Sequence, residues 1–315
     1  VIVVDGSPPE VFDQHAARFA DTALHVRTDP TLAMRNGKVA GVHTGIRHAR
    51  GDRVVIADDD VRHTAATLRE LAGDLRWADL VIPQNVFPID APWHARWDTA
   101  RTLLQRLVGP DAPGTLAIRR STFLAMGGYD GDVLFENLEL IRTVAAAGGT
   151  IARRPDVYVT RLPPSTQRFF EQRVRQAYDE FARPLRLGAA LLVVPSVLRS
   201  LRRGRGRGAI RAAIASVALA EVGRRRDGGA ARFPRTAALY APGWMLERGI
   251  TAWLAVTSRV LLGGCPYRGD IIRRAATPRR VLRRRQRALL RASRRTAVSS
   301  GTGHSDTAGS RPAAW

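Results

Sequence analysis

Gly51-Asp52-Arg53-Val54-Val55-Ile56-Ala57-Asp58-Asp59-Asp60-Val61 joins a short β-branched run to three consecutive carboxylates. Val54, Val55 and Ile56 have the composition of a buried strand. Asp58, Asp59 and Asp60 repel one another and favour a compensating cation. Side chains alternate along an extended segment, so Asp58 and Asp60 can share one face. Two carboxylates on one face suit Mg²⁺ or Mn²⁺, which prefer oxygen ligands and leave room for water and phosphates. A solvated acidic turn is the competing explanation of the triplet taken alone.

Composition narrows the rest. The chain has 315 residues, 45% of them hydrophobic, enough for a sizeable core and unlike a disordered protein. Cys265 is the sole cysteine, which excludes an internal disulfide framework and a cysteine-based zinc site. The formal net charge of +22 implies an anionic partner such as nucleic acid, acidic lipid or phosphorylated substrate. Most acids lie in the first half, and the arginine clusters lie beyond residue 200.

Upstream of the triplet, Val1–Val4 reads as a buried strand ending in Asp5-Gly6-Ser7. A helix over residues 9–20 and a strand over 24–27 follow, the layout of an α/β nucleotide-binding edge. Asp5 can accept hydrogen bonds from a ribose or base, or merely cap the next helix. Asn36-Gly37-Lys38 enters a helix with apolar Val39, Val42 and Ile46, and Lys38 adds charge at a phosphate-attracting N-terminus. That helix delivers the chain to the acidic triplet in the order of a parallel β-α-β unit.

Taken together, Val3-Val4-Asp5-Gly6-Ser7, Asn36-Gly37-Lys38, Gly45-Ile46-Arg47-His48-Ala49-Arg50-Gly51-Asp52 and Val55-Ile56-Ala57-Asp58-Asp59-Asp60 resemble the core of family 2 glycosyltransferases with the GT-A fold. The resemblance implies an Asp-x-Asp element, Asp58 and Asp60, holding Mn²⁺ or Mg²⁺ on the diphosphate of a UDP- or GDP-sugar, with Asp59 between them on the substrate side. It implies that Asp5 contacts the nucleotide. It further implies that the family's first strand and helix precede Val1 and are absent here.

The resemblance extends through Leu116–Gly149. Gly127-Gly128-Tyr129-Asp130 and an acidic helix start recur in the family, usually with Glu-Asp, whose Asp acts as general base. Here the pair is Glu136-Asn137, and Asn cannot take a proton. Glu136 is the expected base, with helix capping as the competing role of the pair. In residues 166–180, Gln172-Arg173-Val174-Arg175-Gln176 resembles the Gln-x-x-Arg-Trp motif of membrane-associated members, with Gln176 in place of Trp. That implies Gln172 and Arg175 near acceptor and diphosphate; a solvated basic face is the alternative. Trp93, His94 and Trp97 open a helix and could line an acceptor pocket, although ordinary packing is favoured, with His94 at the surface or capping.

After Pro184 the chain changes character. Residues 185–201, 209–222 and 236–262 are apolar segments flanked by arginine clusters. They read as helices at or shallowly in a bilayer, with a soluble bundle as the alternative. Glu247 and Arg248, within the third, are expected to pair. Residues 279–295 hold nine arginines and no acid, a basic amphipathic helix suited to an acidic membrane surface. Nucleic-acid binding fits the same charge, but no reader motif accompanies it, so no specific nucleic acid is expected.

The expected architecture is therefore α/β: a GT-A domain over residues 1–183, a helical membrane-associated region over 184–295 and a disordered tail over 296–315. The expected function is metal-dependent, inverting sugar transfer to a lipid-linked or glycan acceptor of the cell envelope. Its catalytic side would face the cytoplasm at the cell membrane. The alternative is a catalytically inactive, membrane-bound nucleotide-sugar binder.

Overall fold

The computed structural model describes residues 1–109, 114–204 and 206–301. Strand β1 (Ile2–Asp5), helix α1 (Pro9–Phe19) and strand β2 (Leu24–Arg27) form a parallel two-stranded unit. Next come α2 (Gly37–His48), β3 (Arg53–Ala57), β4 (Val61–Arg62), α3 (Ala65–Asp74), β5 (Leu80–Val86) and α4 (Trp93–Gln105). They are followed by β6 (Thr115–Arg119), α5 (Arg120–Ala125), α6 (Glu136–Ala146), β7 (Ile151–Arg161) and α7 (Thr166–Tyr178). A 3-10 turn over Asp179–Ala182 leads to α8 (Pro184–Arg202), α9 (Gly206–Arg225) and α10 (Ala241–Leu261). A hairpin, β8 (Cys265–Tyr267) and β9 (Asp270–Ile272), precedes α11 (Arg279–Gly301).

The main sheet has the order β3-β6-β5-β7-β4. Its alternation sorts side chains to two faces, as pleating requires. Leu80, Ile82, Leu116 and Ile118 pack under α2, α5 and α6, with Val39, Ile46, Phe123 and Leu140. Val81 and Ala117 face the other way, onto Leu71 of α3 and Leu75 at its C-cap. Burying a leucine-sized side chain in such a layer contributes about 2 kcal/mol, which makes the central strands the firmest part of the domain.

Several expectations are corrected here. β3 pairs only with β6, antiparallel, among the described residues, so the β2-α2-β3 segment is not a parallel unit of one sheet. Helix α2 instead bridges the two sheets: Gly41 and Gly45 lie against Val4 of β1, while Val39 and Ile46 join the main core. β5 runs through Pro83 to Val86. The register shifts between Pro83 and Gln84, the kind of irregularity that tolerates a proline in a central strand. α11 carries residues 296–301 of the expected tail in helix. The rest of the expected tail, 302–315, lies outside the described residues.

The C-terminal helices share cores with the sheet domain. Ala100 and Leu103 of α4 pack with Ala220 of α9 and Trp244 of α10. Gly223 permits α9 to press on the backbone of α4, since a Cβ there would meet Leu103 O at 1.9 Å. Arg173 of α7 makes a buried bidentate pair with Asp98 of α4, at 2.7 and 3.0 Å, and lies 3.6 Å from Glu247 of α10. Glu247 also accepts the Trp97 indole N–H at 2.8 Å. The expected Glu247–Arg248 pair therefore does not form: better-placed partners on α4 and α7 take Glu247. His94 is buried rather than superficial, its Nε2 2.8 Å from Pro164 O. Among the described residues α8 alone is long and apolar enough to cross a membrane, and most of it faces outward.

Candidate active site

Three chain segments meet at the end of β3. Asn36 caps α2, accepting from Lys38 N at 3.2 Å, and donates through Nδ2 to Val133 O at 3.0 Å. That buried asparagine fixes the start of α2 against the approach to α6. From the other side Leu134 N and Phe135 N donate to Arg274 O and Ala275 O at 2.9 and 2.8 Å. The segment leading to Glu136 is thus held by both ends of the chain.

The result is a three-membered ionic group. Lys38 Nζ lies 2.5 Å from Asp58 and 2.8 Å from Glu136. Burial alone would weaken the Lys38 ammonium, but Glu136 and Asp58 outweigh it and hold the lysine charged. Burial also opposes ionisation of Glu136, yet the Lys38 charge and hydrogen bond, helped by Arg175, keep its carboxyl below the usual range. For Asp58 burial wins, and its pKa is raised despite Lys38.

Asp60 is drawn to a different cation. Its Oδ2 accepts from Arg161 Nε at 2.8 Å, and its carbonyl accepts from Leu162 N at 2.7 Å. Asp60 Oδ1 is buried with no hydrogen-bond partner. Asp59, between them, is exposed. Among the described residues no three His, Cys, Asp or Glu side chains gather as a ready-made metal centre. The residues present nevertheless fit a divalent cation. The unpartnered Asp60 Oδ1 is a free oxygen ligand, and Asp58 Oδ2 occupies the space that a side chain at Gly114 would fill. Mg²⁺ and Mn²⁺ sites are commonly built from one or two carboxylates completed by substrate phosphates.

Of the residues singled out in the sequence, Lys38, Asp58 and Glu136 come together, and Arg175 acts on Glu136 through its charge. Asn137 follows Glu136 in the first turn of α6. Gln172 lines a cleft with Gln176, Asn85, Asp98, Arg101 and Arg161. Since Arg161 holds Asp60, this cleft adjoins the acidic triplet. Asp5 keeps different company. Its carboxylate takes Ser7 N at 2.8 Å and the rings of His15 and His25 at 2.7 and 3.1 Å. Burial opposes its ionisation, but these hydrogen bonds hold it far below the usual range. Trp97 packs inward against Tyr240, and Trp93 meets His94 and Phe169 edge-on, as in ordinary packing.

Two residues escaped the sequence reading. Arg161 ends β7, and only the β4–β7 pairing brings it to Asp60. Asp179 follows α7, and burial pushes its carboxyl up to about 7, with Arg175 opposing and Glu136 reinforcing. Its seven-residue spacing from Gln172 and four from Arg175 was the available signal, two turns and one turn along the same helical face.

Residues 1–129 match the family model described as Glycosyl transferase family 2. Among solved structures, the chain is similar to the mannosyltransferase PcManGT from Pyrobaculum calidifontis, in complex with GDP-Man and Mn²⁺. That similarity covers 94% of this chain and 77% of the other, at 19% identity and a TM-score of 0.42. No curated protein matches the chain.

Proposed function

We infer, from an N-terminal family 2 glycosyltransferase domain of GT-A fold followed by a helical region, that this chain moves a sugar from a nucleotide-sugar to an acceptor hydroxyl. The observation that carries this reading is the ionic group of Asp58, Lys38 and Glu136 beside the unpartnered Asp60 oxygen.

Asp58 and Asp60 are the proposed holders of Mn²⁺ or Mg²⁺. A divalent cation there supplies Lewis-acid neutralisation of the departing diphosphate. Lys38 keeps Glu136 ionised, and Glu136 accepts the acceptor's hydroxyl proton as its oxygen attacks the anomeric carbon. A single displacement of this kind inverts that carbon. Asn137, which cannot take a proton, assists by hydrogen bonding. Gln172 from the cleft and Arg175 near Glu136 orient acceptor and diphosphate, while Asp59 and Asp5 serve the nucleotide-sugar. The donor is a UDP- or GDP-sugar.

The acceptor we favour is lipid-linked or a cell-envelope glycan. What supports a membrane setting is the outward apolar surface of α8 and α10, with Leu185, Leu192, Ile250 and Leu254 exposed. The arginines of α11 would meet acidic headgroups, each contributing about 1 kcal/mol. By the positive-inside rule, their sign favours a catalytic domain on the cytoplasmic side. Residues 1–183 form the catalytic unit of this proposal and 184–295 the membrane-facing one.

One observation favours a second reading, a non-catalytic nucleotide-sugar binder: Glu136 is already engaged by Lys38 and is followed by Asn137. Incubating the full-length protein with Mn²⁺ and a panel of UDP- and GDP-sugars separates the two. Metal-dependent release of nucleotide, lost in Asp60→Asn, is the expected result. Saturable donor binding with no turnover for any donor and acceptor pair would overturn the enzyme reading.

A further inference from the structure

A narrow cleft lies between β5, α4 and α7, beside the acidic triplet. Asn85 of β5, Arg101 of α4 and Gln172 and Gln176 of α7 give it polar walls, and Phe87 gives it an aromatic one. Arg161, whose Nε donates to Asp60, borders the same space. Gln172 and Gln176 stand one helical turn apart, so α7 turns both amides to one side.

Asn85 Oδ1 and Gln176 Oε1 are buried, and neither has a hydrogen-bond partner. Leaving such an acceptor unmet costs about 1–3 kcal/mol. Neighbouring side chains are turned to other duties. Gln84 donates to Asn85 O and accepts from Arg106, and Thr99 Oγ1 donates to Ala95 O. Asp98, the carboxylate on this wall, is held in two-point contact by Arg173. The walls thus present amide oxygens in want of donors, with guanidinium groups beside them.

That mixture selects a ligand chemistry. A phosphate brings acceptors only and would set lone pairs against the two amide oxygens. An acyl chain would leave every polar group unmet. A hydroxyl both donates and accepts, so a run of hydroxyls answers amides and guanidinium groups together. The cleft offers about 40 Å³ to water-sized groups. That is room for roughly two or three hydroxyls. One edge of a sugar ring fits these bounds, with Phe87 beside the ring's apolar face.

We propose that this cleft seats the hydroxyl edge of a saccharide acceptor, with Asn85 and Gln176 accepting from its hydroxyls. The inference rests on the transferase reading and narrows it: the acceptor group is itself a sugar rather than a simple alcohol. Asn85 and Gln176 then become specificity-determining residues beside Gln172.

Saturation-transfer NMR on the full chain, with the methyl glycosides of D-glucose, D-mannose and D-galactose, reads the seat without turnover. At least one glycoside is expected to bind saturably. Gln176→Leu and Asn85→Leu should each weaken it at least about tenfold, the scale of one buried hydrogen bond. Gln167→Leu, which removes an exposed amide from α7, should bind as wild type does. The two leucine variants should melt no lower than wild type, because each replaces an unpartnered amide by an apolar group of similar size. A lower melting temperature with unchanged glycoside binding would mark the amides as structural and overturn the proposal. Nucleotide release from UDP- and GDP-sugars with Mn²⁺ is followed separately. Glycoside binding lost in both variants, with no release from any donor, upholds the saccharide seat and counts against the transferase reading alone. Release with no glycoside bound by wild type overturns the seat alone, and neither binding nor release overturns both. Displacement of the glycoside by a nucleotide-sugar, but not by its bare nucleotide, would give the cleft to the donor's sugar and overturn the acceptor assignment.

Discussion

The ammonium of Lys38 stands 2.8 Å from the carboxylate of Glu136, although 98 residues separate them along the chain. The same nitrogen holds Asp58, so one lysine ties the proposed metal-side carboxylate to the proposed base. Removing it leaves two largely buried acids facing each other with no charge between them.

Lys38→Met should therefore destabilise the fold by roughly 3 kcal/mol, the scale of breaking a buried ionic contact. The pH dependence carries the sign. Glu136 has a depressed pKa in the fold, so it contributes stability above its unfolded value, and that contribution is lost as pH falls through the lower folded value. In Lys38→Met this contribution should vanish. Urea denaturation at neutral and acid pH compares the two proteins directly.

Asp60→Asn removes the anionic partner of Arg161 and alters the free Oδ1. Mn²⁺ binding, followed by electron paramagnetic resonance, should weaken more than tenfold, and turnover should fall by about two orders of magnitude. Unchanged Mn²⁺ affinity would separate Asp60 from the metal.

Gly114→Ala tests crowding of the same site without touching a charge. The added methyl would meet Asp58 Oδ2 at 2.5 Å and its carboxyl carbon at 3.1 Å, while Lys38 pins that carboxylate. Turnover is expected to drop on the order of tenfold with little change in melting temperature, because the shift is local. A protein that melts early but turns over normally would contradict this.

Asp179→Asn probes the carboxyl that burial holds near neutrality. A group raised to about 7 keeps its proton in the fold while the unfolded chain has lost it, so wild-type stability falls as pH rises from about 4 to 7. The asparagine variant should lack this decline and be the more stable protein above pH 7. Parallel melting curves across that window provide the check. If turnover of the variant also disappears while Glu136→Gln retains it, the proton acceptor is Asp179.

Arg173→Met severs α7 from both Asp98 and Glu247. The loss should reach about 3–5 kcal/mol, since two acids are left buried. Replacing Arg173 and Asp98 together by apolar residues should recover much of it, which a double-mutant cycle measures.

Local chemistry made much of this chain readable before its shape was known. The run Val54–Ile56 announced β3, and Asn36 announced the start of α2, because strand composition and capping act over a few residues. Lys38, Asp58 and Glu136 were each singled out, but only for separate duties. Their mutual contact depends on how α2 and α6 lie against the sheet, which no spacing encodes. Arg161 was invisible for the same reason, as it reaches Asp60 only through antiparallel pairing of β4 with β7. Glu247 and Arg248 misled because sequence neighbours on a helix point in different directions, and tertiary partners decided the outcome. The membrane reading of α8 followed from apolarity and flanking arginines; that α10 would bury Arg248 on its inner face did not.

The backbone of Arg274 and Ala275 grips Leu134 and Phe135, and Gln286 of α11 donates to Met126 O at 3.0 Å. A protein shortened at residue 183 would forfeit both clasps. It would also lay Leu103, Ala177 and Tyr178 bare to water, so the fragment should clump rather than behave as a smaller working enzyme. Anyone wishing to dissect the two regions will have to do so by point substitution, with the tail end of the chain left in place.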